Sequence, residues 1–323
     1  MDQTHIGYTA WNDPPANVMP AVSWIQAPET GSLGVSAEDA TFTRAGGRFG
    51  FSLGTIDSVA DQTRTLMLFD RGKSPVEYTV QTSAPWIVAS EAGGTVGAIE
   101  QKVRLRVDWS KVPADGDSAE GTIRVSSGEG QPMAYMLRAM RLPVTRADAQ
   151  GFVESDGNVA IEAADTSRRT ADGETHWEEL PGYGETKSAM TVFPVTAESN
   201  TDSKAVLEYK IYLYDSGDFQ LLATLAPTLN FVPGRGLRFE VSVDGGPRTV
   251  VDELEHNSQQ DWEQAVSDGV RRVTVPLTIA KPGYHTLEIW AVDPGVVLER
   301  IVVSYGALKP SYLGPPESAR FPE

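Results

Sequence analysis

The sequence predicts an all-β chain of two β-sandwiches behind a short arm. Three observations carry this reading. Apolar and polar residues alternate at period two in many short runs, as where Val103, Leu105 and Val107 alternate with Lys102, Arg104 and Arg106. Gly, Pro and Asp punctuate these runs at the short intervals that antiparallel sandwiches use. Only Asp261 to Val266 reads as helix, one or two turns long.

Residues 1 to 22 form the arm. Asn12-Asp13-Pro14-Pro15 and Met19-Pro20 forbid a long helix there, because proline removes a donor and restrains the residue before it. Tyr8 and Trp11 have no core of their own nearby, so the arm is expected to pack on something upstream. The first sandwich is placed at 23–145. Its strand-like runs are Phe49 to Leu53, Thr65 to Phe69, Val76 to Val80, Trp86 to Val88, Val103 to Asp108 and Gly121 to Ser127. Pro143 to Gln150, with Arg141, Arg146 and Asp148 around it, breaks the pattern and reads as a linker.

The second sandwich is placed at 151–323, with its last residues as a tail. Val159 to Ala163 is expected as its first strand. Ala189 to Val195, Ala205 to Tyr214, Phe219 to Leu225, Leu237 to Val243 and Val270 to Val275 follow. Asp244-Gly245-Gly246 signals a hairpin. The final pair, Gly283 to Val292 and Val297 to Val303, reads as a closing hairpin turned by Asp293-Pro294-Gly295. Residues 306–323, rich in proline, are expected to be extended.

The 323 residues carry 27 basic and 44 acidic side chains, a formal charge of -17. No Lys/Arg stripe interrupts this, so nucleic acid is not an expected partner. With no cysteine, disulfides, thiolate zinc sites and thiol nucleophiles are excluded. No run is long and apolar enough for a membrane helix, which needs about 18–20 residues.

Several long strings resemble one family. They are G-F-V-E-S-D-G-N-V-A-I-E-A from Gly151, L-P-G-Y-G-E-T-K-S-A-M-T-V-F-P-V from Leu180, and A-P-T-L-N-F from Ala226. G-R-G-L-R-F from Gly234, W-E-Q-A-V-S-D-G-V-R-R-V from Trp262 and the run from Ile279 to Val303 continue them, and K-P-S-Y-L-G-P-P-E-S from Lys309 completes the series. In order, over 151–318, they look like the C-terminal domain of glycoside hydrolase family 115, the xylan α-1,2-glucuronidases. The first twenty residues resemble the end of that family's helical domain.

This resemblance implies a non-catalytic accessory region that packs on or dimerises an upstream catalytic domain and contacts glucuronoxylan. It further implies a secreted or periplasmic parent enzyme, of which this chain is expected to be a fragment. The alternatives are a free-standing carbohydrate-binding protein and a glycosidase in its own right. Residues 75–127, with Ala84-Pro85-Trp86-Ile87, resemble immunoglobulin-like modules of polysaccharide-degrading enzymes. The second sandwich resembles carbohydrate-binding jelly rolls of families 6 and 35. Many of these open with Glu-Ala-Glu, whose acids help hold a structural calcium; here the text is Glu162-Ala163-Ala164, leaving Glu162 as the single metal candidate.

Sugar sites combine aromatic platforms with a few fixed polar groups. Trp177, Tyr183 and Trp262, read as loop residues, are the candidates, with Arg235 as a basic contact for a uronate. No catalytic residue is assigned. Glu178-Glu179 and Asp252-Glu253-Glu255 do not make a paired-carboxylate cleft, since strand neighbours point to opposite faces. The histidines, His5, His176, His256 and His285, lack metal-ligand spacing.

Overall fold

The computed structural model describes residues 22–24, 26–37, 41–45, 48–128, 132–255, 257–309 and 311–322. The expected arm, apart from the exposed Val22, lies outside these residues. Ten strands precede the linker: β1 Leu33–Ala37, β2 Thr41–Ala45, β3 Arg48–Asp57, β4 Arg64–Asp70, β5 Val76–Thr82, β6 Ile87–Ala89, β7 Gly93–Val96, β8 Gln101–Val107, β9 Ser118–Ser126 and β10 Met133–Met140. They form two sheets, β1-β4-β8-β6 and β2-β3-β10-β9-β5-β7. All pairs are antiparallel except β3 with β10. The alternation in β8 does what its sequence predicts: Val103, Leu105 and Val107 are buried while Lys102, Arg104 and Arg106 are exposed. They join Leu53, Leu66, Trp86, Ile123 and Tyr135 in a core between the sheets.

After the linker come β11 Gly151–Val153, β12 Asn158–Glu162, β13 Arg168–Thr170, β14 His176–Pro181, β15 Ser188–Phe193, β16 Val206–Leu213, β17 Gly217–Leu225, β18 Arg238–Val243 and β19 Thr249–Asp252. Helix α1 Gln259–Asp268 follows, then β20 Arg271–Ile279, β21 Gly283–Ala291, β22 Val297–Ser304 and β23 Arg320–Phe321. One sheet runs β19-β18-β21-β16-β11-β23, with β13 also on β16; the other runs β14-β15-β22-β17-β20, with β12 also on β22. A second core, including Phe152, Tyr209, Phe219, Phe239, Leu287 and Ile301, fills the space between them. Tyr209 is fully buried, and its hydroxyl donates to the Ala163 carbonyl at 2.6 Å, which satisfies its one polar group.

The structure corrects three expectations. First, β21 and β22 are not a hairpin. β21 pairs with β16 and β18, whereas β22 pairs with β12, β15 and β17, so Asp293-Pro294-Gly295 carries the chain from one sheet to the other. Both strands have a fully supplied buried face, and alternation does not say which sheet receives it. Second, the second sandwich opens with β11, not β12. Third, Trp177 lies on β14, not in a loop.

The sandwiches meet through a small third core of Val59, Ala149, Val153, Tyr212 and Phe321. Beside it the β11–β12 turn enters the first sandwich. Asp156 accepts a hydrogen bond from the Thr55 N–H at 2.6 Å and pairs with Arg64. A Cβ on Gly54, whose φ is +75°, would lie 2.7 Å from the Asp156 carboxylate, so this close approach requires glycine. Gln62 links the buried Asp57 (2.7 Å) to Ser155 across the junction.

Candidate functional site

The loops at one end of the second sandwich are organised by a residue that sequence reasoning treated only as part of a turn. Asp293 is fully buried. Arg238 grips it in a fork, Nε to Oδ2 at 2.7 Å and Nη2 to Oδ1 at 3.2 Å, while the Arg238 N–H adds a bond at 3.0 Å. Ser199 also donates to it, and Arg235 Nε stands 3.7 Å away. A buried carboxylate is tolerated only with such compensation. In return the carboxylate raises the pKa of Arg238. The segments around residues 199, 235 and 293 are thereby tied together.

Arg235, expected to reach for a uronate, is committed here. Besides Asp293, its Nη1 donates to the Ala197 carbonyl at 3.3 Å, and its guanidinium lies 5.6 Å from the Phe231 ring centre. Only about an eighth of its side chain is exposed (12%).

Trp262, expected in a loop, stands instead on the first turn of α1. Ser258 caps this helix: its hydroxyl accepts from the Asp261 N–H at 3.2 Å, and Asp261 accepts from the Ser258 N–H at 2.9 Å. Gly269, at φ 74°, ends it. The helix runs ten residues, longer than expected, because the capping box starts it before Asp261. Trp262 is half-buried and borders a surface cavity of about 280 Å³ lined by Thr228, Leu229, Asn230, Asn257, Ser258 and Gln259. The lining carries no charge. Its amides are held in place: the Val232 N–H donates to Asn230 Oδ1 at 3.1 Å, Arg271 donates to Asn257 Oδ1 at 2.9 Å, and Gln259 donates to Glu263 at 2.9 Å. An indole edged by fixed amides and hydroxyls can stack on a neutral ring and bond its hydroxyls.

The other candidates lie elsewhere. Trp177 is 4% exposed, part of the second core, and its indole N–H is buried without an acceptor among the described residues. A sandwich interior cannot meet a polymer. Tyr183 is 47% exposed on the β14–β15 turn. That turn is pinned where Gly184 packs against Glu299 and the Glu185 N–H donates to Glu299 Oε2 at 3.0 Å. Tyr183 and Arg235 do not border the Trp262 cavity.

Glu162 is 3% exposed, with Arg300 Nε 3.5 Å from one carboxylate oxygen and the Thr186 hydroxyl donating to the other at 2.5 Å. Its oxygens are turned to protein donors, and the position two residues on is Ala164. Among the described residues no group of three acidic or histidine side chains is placed to hold a metal. These residues do not fit a calcium ion.

Glu253, weighed in the sequence only as one acid of a loop cluster, is set in the connection between β19 and α1. It is 3% exposed, and both its oxygens lack hydrogen-bond donors among the described residues. Burial pushes its pKa up to about 8, against the pull of Arg271 and with a push from Asp252. His285 is also buried, with its two ring nitrogens at 2.7 Å from Asp244 and 2.9 Å from the Lys281 carbonyl.

Residues 151–317 match the model of the glycosyl hydrolase family 115 C-terminal domain. The chain belongs to that family. Among solved structures, a family GH115 4-O-methyl-α-glucuronidase with specificity for decorated arabinogalactans is similar at 18% identity over 52% of this chain and 19% of its own, with a TM-score of 0.37. The chain therefore spans about a fifth of that enzyme's length. A family 35 carbohydrate-binding module from Clostridium thermocellum is similar at 15% identity, covering 45% of this chain and 98% of its own, at TM-score 0.32. The C-terminal family 6 module of a laminarinase from Zobellia galactanivorans is similar at 12% identity over 46% and 99% of the two chains, at TM-score 0.33. No curated protein matches the chain in sequence.

Proposed function

We propose that this family 115 chain is the non-catalytic accessory region of a xylan α-1,2-glucuronidase. In this reading it packs on or dimerises the catalytic part and holds the polymer nearby. The family match over 151–317 is the observation that carries the proposal. Polymer contact is assigned to the Trp262 cavity, whose uncharged lining suits the neutral xylose backbone. The uronate side groups are a poor target, because the chain's charge is -17 and Arg235 is already held by Asp293. Tyr183 is assigned to protein contact instead. Arg272 joins its turn to the C-terminal segment by donating to Glu185 Oε2 and the Tyr312 carbonyl, both at 3.3 Å. Tyr183, Tyr312 and Leu313 stand exposed on these two joined segments.

A titration of the purified chain with xylo-oligosaccharides, followed by tryptophan fluorescence and calorimetry, tests polymer contact. One stacked indole with a few hydrogen bonds supports a Kd in the range of about 1 μM to 1 mM. Trp262→Ala is expected to weaken binding about tenfold or more with the melting temperature unchanged. Equal affinity in the variant would place the polymer on another surface. Incubation with glucuronoxylan is expected to release no uronic acid, and release above a heat-killed control would show an active glycosidase instead.

A further inference from the structure

We infer a second carbohydrate-binding groove at the junction of the two sandwiches, built around Tyr305 and suited to a neutral oligosaccharide. It rests on the carbohydrate reading above but uses none of the same residues. The groove is about 520 Å³ and draws its walls from three parts of the chain. Thr63 and Arg64 come from the first sandwich, Asn158 and Tyr305 from the second, and Ser311 and Ser318 from the C-terminal segment.

Tyr305 follows β22 directly and is 49% exposed. Its ring is fixed from behind. Phe219, from the second core, packs against it with ring centres 5.2 Å apart, and the Tyr305 N–H donates to the Gly157 carbonyl at 2.8 Å. A ring held in this way while half open is an aromatic platform that loses little freedom when a pyranose stacks on it.

Four charged residues line the groove, Arg64, Asp156, Lys309 and Glu317, and each is engaged within the protein. Arg64 pairs with Asp156, and Glu317 pairs with Lys187. The groove therefore offers hydroxyl and amide groups beside an aromatic face, the combination that recognises a neutral polyhydroxylated ring better than an ion. Arg64 and Asp156 belong to opposite sandwiches, so their ion pair also sets the groove's width. A bound oligosaccharide would touch both sandwiches at once.

The test is an amide-resolved NMR titration of the full chain with xylohexaose, in the unmodified protein and in Tyr305→Ala, Thr63→Tyr and Trp262→Ala. Thr63 is exposed, so Thr63→Tyr narrows the groove without entering a core. The expected result is a saturable shift of the amides of Thr63, Asn158 and Tyr305. Tyr305→Ala and Thr63→Tyr should each weaken it at least tenfold, with melting temperatures near that of the unmodified chain, while Trp262→Ala leaves it in place. If the Trp262 region responds and the junction amides stay still up to about 10 mM ligand, a concentration that detects even millimolar Kd values, the groove is not a sugar site and the first reading stands. If neither region responds, both fail. Junction shifts that persist at full strength in Tyr305→Ala and Thr63→Tyr would overturn the assignment to this groove.

Discussion

Asp293 shows how one side chain can hold a set of loops. Its carboxylate receives the Arg238 fork, the Arg238 N–H and the Ser199 hydroxyl, and its exposure is 0%. Removing one partner of a buried pair strands the other, which costs about 3–5 kcal/mol. Asp293→Ala is therefore expected to lower the unfolding free energy by about that amount, read as a shift of the urea midpoint. A loss below about 1 kcal/mol would mean that Arg238 and Arg235 reach solvent without it. The sequence offered Asp293 only as turn chemistry, because its partners lie 55 or more residues away and no local pattern links them.

Two other buried acids make stability depend on pH. Burial raises the pKa of Glu253 from the ordinary 4.5 to about 8, and that of Glu154, at the junction, to about 7. Between the unfolded and folded values the native state holds a proton that the unfolded state has released. Each group's contribution is thus fully present below about 4.5 and is lost as pH rises to about 8 for Glu253 and about 7 for Glu154. The slope is at most about 1.4 kcal/mol per pH unit for each group. Melting temperatures should fall as pH rises through these windows, and Glu253→Gln should flatten the decline while raising stability at the alkaline end. An unchanged slope in Glu253→Gln would show that its carboxyl stays hydrated.

Among the elements, α1 depends most on local chemistry. Ala265 is its one buried residue, so tertiary packing contributes little and the caps carry more of its stability. Ser258→Ala should cost about 1 kcal/mol. The loss should appear as faster amide exchange confined to residues 259–268, with weaker sugar binding because Trp262 stands on that first turn. Exchange that also quickens in β16 or β21 would mean the helix supports the core.

The strands themselves were largely legible. β4, β5, β8, β16, β17 and β18 coincide with period-two runs because each has one face on a core. β7 was not, since Gly93 and Gly94 give it no apolar signature. β14 was missed because its sequence, His-Trp-Glu-Glu-Leu-Pro, buries Trp177 alone among exposed and half-exposed neighbours. The same reason misplaced Trp177 among the sugar candidates. Trp262, read as a loop residue, stands half-buried on the first turn of α1, because the Ser258–Asp261 capping box starts the helix before it. Its cavity partners Asn230 and Asn257 come from separate loops and carry no pattern that announces them.

At the scale of the whole molecule, we propose that the two sandwiches are separate folding units, with their boundary between Arg141 and Gly151. Each encloses its own core, and the third, junction core is much smaller. Pro143 and the charges around it point to a break, but the sequence does not say how it is held. Leu142 N–H donates to Ser58 Oγ at 3.0 Å, Arg146 donates to the Val59 carbonyl at 2.5 Å, and the Arg146 guanidinium lies 5.4 Å from the Phe321 ring centre. The linker is thus held to the first sandwich through Ser58 and Val59 and to the second through Phe321, while Asp156 reaches across from the second. Asp156→Ala removes the Arg64 pair and the acceptor for the Thr55 N–H without touching either main core. It should leave the melting temperature of each sandwich nearly unchanged, yet speed proteolysis within residues 143–150 and broaden the distribution of sizes seen by small-angle scattering. Cleavage that stays as slow as in the unmodified chain would assign the junction to Val59, Val153, Tyr212 and Phe321 rather than to the Asp156 contact.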